Sequence, residues 1–450
     1  MTIRRVIRFT LPLAMTFLMM SGSAPIVTAG IAWTFGAEGE RTHLAAFLMT
    51  FSTALFLYSP AFVARNTALR MVIDRRSLVR FLVGNLSWAT ISCGLLLAIA
   101  WHDEIGNMVF LGLFDARPTI ATLARQGLAL FAPMPLLIVL RGLGQGCHIS
   151  NNDGWHVGIG TTLRLCAMAL YVFGYAVHHE RSGPVLGGEA FLLGIGVETA
   201  YVLLMLRGKP QWQRRPEKPI LDYGQFARYA GPLMLAAALT QLVTPMLIRL
   251  ISAARMPAES QAGYDLIRGS MWVMLSVLNC IQPTVLAHAT SRHNFRVILR
   301  YAVLMVIPTT TLVAVVSLTP LRHTVYEGWL RVDNVEITRL LYAGLRWVLP
   351  LPTLMIANLA IQGLHTRSGR TGWVTAGTAT GLALLAVFDR LIDVSAWDGL
   401  ILAVAGFTSF HVVSVAVQLI GLLHGGLTAS LSPRELSEQM ALDRNGHARG

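Results

Sequence analysis

The chain has 450 residues, of which 54% are hydrophobic and 13% charged, and its formal net charge is +13 at pH 7. Soluble domains carry roughly 25% charged residues, so this composition excludes an ordinary soluble domain and indicates a polytopic membrane protein. In a soluble protein this positive charge would suggest a nucleic-acid partner. In a membrane protein it is explained by basic residues that keep the cytoplasmic loops on the inner face, so we predict no nucleic-acid partner.

Apolar stretches of about the length that crosses a bilayer recur along the whole sequence. They are continuously apolar rather than alternating, which predicts helices and an all-α polytopic membrane protein. The twelve predicted spans are residues 9–34, 43–64, 81–101, 119–141, 156–178, 187–207, 226–252, 262–287, 298–320, 337–362, 372–391 and 398–423.

One stretch of the sequence occurs twice. APMPLLIVLRGLGQGCH at residues 132–148 aligns without a gap with LPLPTLMIANLAIQGLH at residues 349–365, at an offset of 217. The repeat predicts two six-helix lobes related in parallel, residues 1–207 and 224–430, as in many transporters. A polar, proline-rich cytoplasmic linker, residues 208–223, separates the lobes, and residues 431–450 form a polar cytoplasmic tail.

Basic residues in the loops and at the ends of the predicted spans are distributed unequally. If the N-terminus, the loops after even-numbered spans and the C-terminus share one side, that side carries 23 Lys and Arg residues, and the other carries seven. The positive-inside rule therefore predicts that both termini are cytoplasmic, in the plasma (inner) membrane.

The six arginines that are not counted with either side lie within the predicted spans, where a charge is costly and usually faces a partner or a wet cavity. Arg164 and Glu198 lie at similar depth on neighbouring spans, which predicts an ion pair that is either structural or involved in ion coupling. Arg125, Arg268 and Arg346 lie nearer the outer ends of their helices. They either line a substrate cavity or extend to the interface, and Asp265 is placed to neutralise Arg268 at i,i+3.

The eighth span carries a polar stripe. Asp265, Arg268, Trp272, Ser276, Asn279 and Pro283 follow one another at steps of three or four residues, so they share one helix face. Asn358 and Gln362 form a similar i,i+4 pair on the tenth span. Such stripes indicate a cavity or polar groups on another helix. We therefore add Trp272, Asn279, Asn358 and Gln362 to the three outer arginines as predicted substrate-binding residues.

Sequence signatures of catalysis are absent. There is no Walker A, GxSxG or HExxH pattern, and the four cysteines show no metal spacing. We expect neither an enzyme nor an ATP-driven pump, and we expect no cofactor and no metal site.

The first, second and seventh spans resemble those of a known family. Phe9–Leu13, the run from Leu44 to Arg80, and Gly231–Leu233 are similar to segments of the progressive ankylosis protein family. That family belongs to the multidrug/oligosaccharidyl-lipid/polysaccharide (MOP) exporter superfamily, which includes the multidrug and toxin extrusion (MATE) type of fold. The resemblance implies export of anionic metabolites such as pyrophosphate, nucleotides or citrate.

We therefore predict a secondary exporter of a small organic or phosphate-bearing anion, working by alternating access through a central cavity between the lobes. The predicted partners are this small anionic metabolite, membrane lipid and a coupling proton or sodium ion, and the protein is expected to be a monomer. The alternatives are a flippase for a lipid-linked anion or saccharide, a multidrug exporter, and a membrane scaffold or enzyme.

Overall fold

The computed structural model describes residues 2–114, 116–179, 181–207, 222–329, 332 and 334–425, with backbone alone at residues 36–41, 389 and 425. These residues are helical almost throughout. In the first half the α-helices are Ile3–Ser21, Ser23–Tyr58, Ala64–Met71, Arg75–Trp101, Asp103–Asn107, Pro118–Phe131, Met134–Ser150, Gly154–Gly174 and Gly183–Leu204. In the second half they are Tyr223–Gln241, Val243–Ser252, Pro257–Ser276, Ile281–His288, Arg292–Leu318, Val335–Leu345, Leu351–Ser368, Gly372–Leu391 and Gly399–Gly425.

The predicted all-helical membrane fold is confirmed. In the described part of the chain, ten helices are long and apolar enough to cross a membrane, and an eleventh forms if the bent pair Val335–Val348 and Leu351–Ser368 is one span. The predicted span at residues 372–391 coincides with the shorter apolar helix Gly372–Leu391. No β-strand occurs among the described residues, where Arg255 and Asp398 form one isolated bridge.

Breaks in the spanning helices recur in both halves at the repeat offset. Pro133 and Pro350 each precede the first residue of a helix, because a proline cannot donate a hydrogen bond to the preceding turn. The helix pair that flanks Pro350 bends by 45°. Short 3₁₀ segments, Ser59–Val63 and Val277–Cys280, interrupt the second and eighth spans. Proline positions read from the sequence thus mark where these helices break.

The chain forms two compact units, which we call the N-terminal unit, Met15–Gln241, and the C-terminal unit, Met1–Ala14 with Leu242–Gly450. The first turns of the chain therefore pack in the C-terminal unit, where the ring of Phe9 meets that of His288 at 4.3 Å. The helix Tyr223–Gln241 packs in the N-terminal unit, where a Cβ on Gly84 would touch Phe226. The predicted lobe boundaries remain a prediction, and residues 208–221 of the predicted linker lie outside the described residues.

Candidate functional site

A buried carboxylate lies in the interior of the N-terminal unit. Glu198, on helix Gly183–Leu204, has no exposed surface. Its Oε2 lies 3.2 Å from Arg141 Nη1 and 3.7 Å from Arg164 Nη1. Its Oε1 accepts hydrogen bonds from Gln145 Nε2 at 2.7 Å and Thr161 Oγ1 at 3.1 Å. Three helices thus converge on one carboxylate, and the predicted neighbours Arg164 and Glu198 are in ion-pair distance.

A close helix contact brings another arginine to this cluster. A Cβ on Gly146 would lie 2.6 Å from Ala68 Cβ and 2.7 Å from the carbonyl oxygen of Arg65, so only glycine allows this approach. A Cβ on Gly142, the residue after Arg141, would lie 2.9 Å from the backbone nitrogen of Arg65, so the contact holds Arg65 beside Arg141. The guanidinium of Arg65 also lies over the ring of Phe17, at 4.9 Å.

The cluster carries more positive than negative charge. Arg141 and Arg164 are 4% exposed, Arg65 is half-buried, and Glu198 is the one carboxylate among the described residues that pairs with them. Three guanidinium groups and one carboxylate leave a formal charge of about +2. The Nε atoms of all three arginines are buried and have no hydrogen-bond partner among the described residues. We call these four residues the arginine cluster.

The C-terminal unit places neutral amides at the equivalent positions. The 217-residue offset pairs Arg65 with Gln282 and Arg141 with Asn358. His148 Nε2 bonds the carbonyl of Val202 at 3.0 Å, and His365 Nε2 bonds that of Gln418 at 2.8 Å. These two bonds identify helix Gly183–Leu204 and helix Gly399–Gly425 as equivalent in the two units.

The side chain that corresponds to Glu198, four residues before the bonded carbonyl, is therefore Ser414. Gln418 Nε2 donates to Asn358 Oδ1 at 3.0 Å and to Ser414 Oγ at 2.9 Å. Gln362 Nε2 donates to the same Asn358 oxygen at 3.2 Å, and Gln282 Nε2 lies 3.4 Å from Gln362 Oε1. We call this set the amide network. The predicted binding residues Asn358 and Gln362 belong to it.

The structure pairs two of the three outer arginines with carboxylates. Arg125 Nη2 lies 2.7 Å from Asp103 Oδ1, and its Nε donates to the carbonyl of Ala100 at 3.3 Å. Arg268 Nη2 lies 3.2 Å from Asp265 Oδ1, at the predicted i,i+3 spacing. Arg346 is exposed and forms no ion pair with any residue that the structure describes. Arg125 belongs to the N-terminal unit, and the other two arginines belong to the C-terminal unit.

The predicted stripe on the eighth span differs in exposure along its length. Arg268 and Trp272 are about half exposed, at 51% and 56%, whereas Ser276 is buried. Asn279 lies in the 3₁₀ segment and donates to the carbonyl of Ser276 at 3.1 Å. This bond gives the amide nitrogen of Asn279 a partner within its own helix. The polar residue at this position of the stripe is therefore explained without a substrate cavity.

Two residues of the arginine cluster are absent from the predicted site. Arg65 follows the predicted second span and Arg141 ends the predicted fourth, so the charge count places both on the cytoplasmic side, but the structure places them inside the spans Thr42–Met71 and Pro118–Ser150. The fourth span continues nine residues beyond the predicted end at residue 141. The repeat contained the missing signal, because it aligns Arg141 and Gln145 with the two predicted binding residues Asn358 and Gln362.

Comparisons with known proteins identify the fold. No protein-family model matches the sequence, and no curated protein matches it significantly. Solved structures do match: a MOP superfamily transporter from Pyrococcus furiosus has a TM-score of 0.66 at 15% identity, with 95% of this chain and 96% of that chain covered. It is described as having a binding pocket of reverse polarity that suggests a different function.

Two further structures agree. An outward-facing multidrug resistance MATE transporter has a TM-score of 0.65 at 14% identity, with coverage of 95% of this chain and 96% of that chain. The eukaryotic MATE transporter AtDTX14 has a TM-score of 0.66 at 12% identity, with coverage of 97% and 98%. The chain therefore has the same fold as these MATE transporters. The resemblance to the progressive ankylosis protein family stays a prediction.

Proposed function

We propose that this protein is a secondary transporter that exports a small organic or phosphate-bearing anion. The observation that carries the proposal is the excess positive charge of the buried arginine cluster. The transport function rests on the MATE-type fold, and the fold's membrane-spanning helices support it.

The charge balance of the cluster favours an anion. Removing an ion from water costs several kcal/mol even after the protein relaxes, and this cost is recovered only by a partner of opposite charge. Glu198 offsets about one of the three guanidinium charges. A carboxylate or phosphate would offset the others, since guanidinium groups bind both in a forked geometry. The neighbour described as having a pocket of reverse polarity supports a change of pocket charge within this fold.

Breaks in the helices around the cluster support a conformational change. The 3₁₀ segment Ser59–Val63 ends two residues before Arg65, and a mid-helix 3₁₀ stretch often marks a hinge. Solved proteins of this fold include one in an outward-facing and one in a bent conformation. We propose alternating access, in which the cluster is exposed first to the cytoplasm and then to the outside.

The driving force follows from the charge of the cargo. We place the protein in the plasma (inner) membrane with both termini in the cytoplasm. Across that membrane, an inside-negative potential favours the exit of an anion by about 2.3 kcal/mol per charge per 100 mV. The membrane potential alone can therefore drive export, and we propose that a monomer is sufficient. The alternative driving force is a proton or sodium gradient, which the efflux assay described next distinguishes from the potential.

The test is efflux from proteoliposomes loaded with radiolabelled pyrophosphate, citrate or ATP, at defined potentials and ion gradients, with a cationic dye as the comparison cargo. We expect Arg164→Gln to weaken efflux of the transported anion, because one charge-assisted contact is worth about 1.5–3 kcal/mol, or roughly ten- to a hundredfold in affinity. Arg339→Gln is the matched control, since Arg339 pairs with Glu336 at an exposed position.

The same experiment tests the three outer arginines, which the sequence predicts as the binding site. Arg125→Gln, Arg268→Gln and Arg346→Gln report on the site that the sequence predicts, whereas Arg164→Gln reports on the cluster. If Arg164→Gln leaves anion efflux unchanged and one of these three variants reduces it, the cargo binds at the outer arginines. Export of the dye alone would contradict the anion proposal and favour a multidrug exporter.

A further inference from the structure

A second group of side chains lies next to the arginine cluster, where helix Met134–Ser150 ends. His148, Asp153 and His156 each offer a ligand atom, and these atoms lie within 4.8 Å of one another. Asp153 Oδ2 is 3.9 Å from His148 Nδ1 and 3.6 Å from His156 Nε2. His148 is fully buried, whereas Asp153 and His156 are 31% and 29% exposed, so an ion can reach the group from one side.

The backbone holds this group together through a Schellman motif. Asn152 has a left-handed conformation with φ 60°, and the N–H of Asp153 donates to the carbonyl of His148 at 2.9 Å. The N–H of Asn152 donates to the carbonyl of Ile149 at 3.0 Å. The chain therefore turns back on itself, and the turn brings Asp153 against His148.

Hydrogen bonds orient both imidazoles for ligation. His148 Nε2 lies 3.0 Å from the carbonyl of Val202, and because a carbonyl only accepts, this nitrogen carries the proton. In the neutral ring, Nδ1 then presents its lone pair toward Asp153. His156 Nδ1 lies 3.0 Å from the hydroxyl of Tyr201, which leaves Nε2 on the side of Asp153. Metal-binding histidines usually have such a partner on the second nitrogen.

The C-terminal unit separates structural from ligand roles within this group. His365 repeats the bond of His148, since its Nε2 contacts the carbonyl of Gln418 at 2.8 Å. A Schellman motif follows there as well, with Gly369 at φ 78°. The positions of Asp153 and His156 are, however, occupied by Arg370 and Trp373. Helix packing therefore accounts for His148 alone, and the other two donors need a different explanation.

We infer that His148, Asp153 and His156 bind a divalent transition-metal ion of the zinc class. Two imidazoles and a carboxylate suit Zn²⁺, while Mg²⁺ and Ca²⁺ prefer oxygen ligands alone. In a tetrahedral zinc site the ligand atoms are about 3.3–3.5 Å apart. The Asp153 oxygen, at 3.6 and 3.9 Å from the two imidazole nitrogens, needs only a small contraction, and the two nitrogens lie within 4.8 Å of each other. A bound ion would join the end of helix Met134–Ser150 to helix Gly154–Gly174.

The test is Zn²⁺ titration of the full-length protein in detergent, purified without a polyhistidine tag, with Mg²⁺ as comparison. We expect one Zn²⁺ per chain, and we expect Co²⁺ to give the visible absorption of a four-coordinate site. Tyr201→Phe should weaken Zn²⁺ binding about 10- to 100-fold, since it removes an outer partner. Asp153→Asn and His156→Gln should weaken it further, and His102→Gln, at an exposed histidine, should not change it.

Two outcomes would overturn the inference. One is the absence of stoichiometric Zn²⁺ binding to the parent protein. The other is binding that Asp153→Asn and His156→Gln leave unchanged, which would place the ion elsewhere. The melting temperature of each variant without metal serves as the folding control, and Tyr201→Phe provides a mild change that leaves all three ligands in place. Because the readout is binding, it is independent of anion transport.

Discussion

The two units have the same backbone plan and differ in the charge at its centre. Equivalent positions hold the residues on which helix packing depends: Pro133 and Pro350, Gly146 and Gly363, His148 and His365. At the centres, Arg65, Arg141 and Glu198 of the N-terminal unit correspond to the neutral Gln282, Asn358 and Ser414, whereas Gln145 is repeated as Gln362. Backbone contacts thus limit which residues can replace one another, while the interior side chains are free to acquire separate roles.

Hydrogen bonding differs between the two centres as well. In the amide network the side chains of Asn358 and Gln362 find partners within the unit, and Gln418 Oε1 is its one buried atom without a partner in the described residues. In the arginine cluster three Nε atoms lack partners, and the charges do not cancel. The neutral side chains of the amide network satisfy nearly all their hydrogen bonds with one another. The arginine cluster has excess positive charge and unused donors, which a bound anion could satisfy. This difference favours the N-terminal unit as the binding half.

The largest effect should come from removing the carboxylate of the cluster. Glu198→Gln keeps the side-chain shape but leaves three guanidinium groups without a negative partner. We expect the free energy of unfolding to fall by about 3–5 kcal/mol, which is the usual cost of removing one partner of a buried ion pair and leaving the other charge unpaired. The equivalent change, Ser414→Ala, removes one neutral hydrogen bond and should cost about 1 kcal/mol. Thermal unfolding in detergent measures both.

The arginines provide the control for this prediction. Arg164→Gln should cost less than Glu198→Gln, since Glu198 keeps its contact with Arg141. The double variant Arg164→Gln with Glu198→Gln should be more stable than Glu198→Gln alone. If Arg164→Gln is as destabilising as Glu198→Gln, then the cluster carries no excess charge and another group neutralises it.

The shared backbone contact should give an intermediate effect in both units. Gly146→Ala would place a Cβ 2.6 Å from Ala68 Cβ and 2.7 Å from the carbonyl oxygen of Arg65. Gly363→Ala would meet Val285 Cβ at 2.8 Å and the carbonyl oxygen of Gln282 at 3.1 Å. Overpacking of this kind costs about 1–3 kcal/mol, and we expect the larger loss at Gly146, where both contacts are shorter.

Glycines in open positions are the matched controls. A Cβ on Gly196 or on Gly269 meets nothing within 4 Å, so alanine there should raise stability by about 0.5–1 kcal/mol through helix propensity. Equal losses in all four variants would show that the effect is general to glycine replacement and not due to helix approach.

The sequence predicts the fold well because its signals are local. Apolar length gives the spans, and the prolines give the breaks before helices Met134–Ser150 and Leu351–Ser368. The site depends on tertiary partners, which one sequence does not specify. Asp103, the partner of Arg125, lies just beyond the predicted third span, so the spans alone do not predict this pair. The apolar run weakens at Arg141, so the predicted fourth span ends there, although the helix continues to Ser150. The sequence predicts no metal site, whereas the structure brings His148, Asp153 and His156 together because the turn at Asn152 joins two helices.

The smallest effect concerns the turns that end the repeated helices. Asn152 and Gly369 occupy equivalent left-handed positions, with φ 60° and 78°. A side chain with a Cβ costs about 1–2 kcal/mol in this conformation, but asparagine adopts it more readily because its amide can bond locally. We therefore expect Gly369→Ala to lower stability by about 1 kcal/mol, Gly369→Asn by clearly less, and Asn152→Gly to change it by only a few tenths of a kcal/mol. Melting curves of the three variants check this order.

If Gly369→Asn is as harmful as Gly369→Ala, then asparagine at 152 is not an adequate substitute for glycine. The N-terminal unit would then retain a strained turn at the position that brings Asp153 to His148, as a site under selection for a ligand can do.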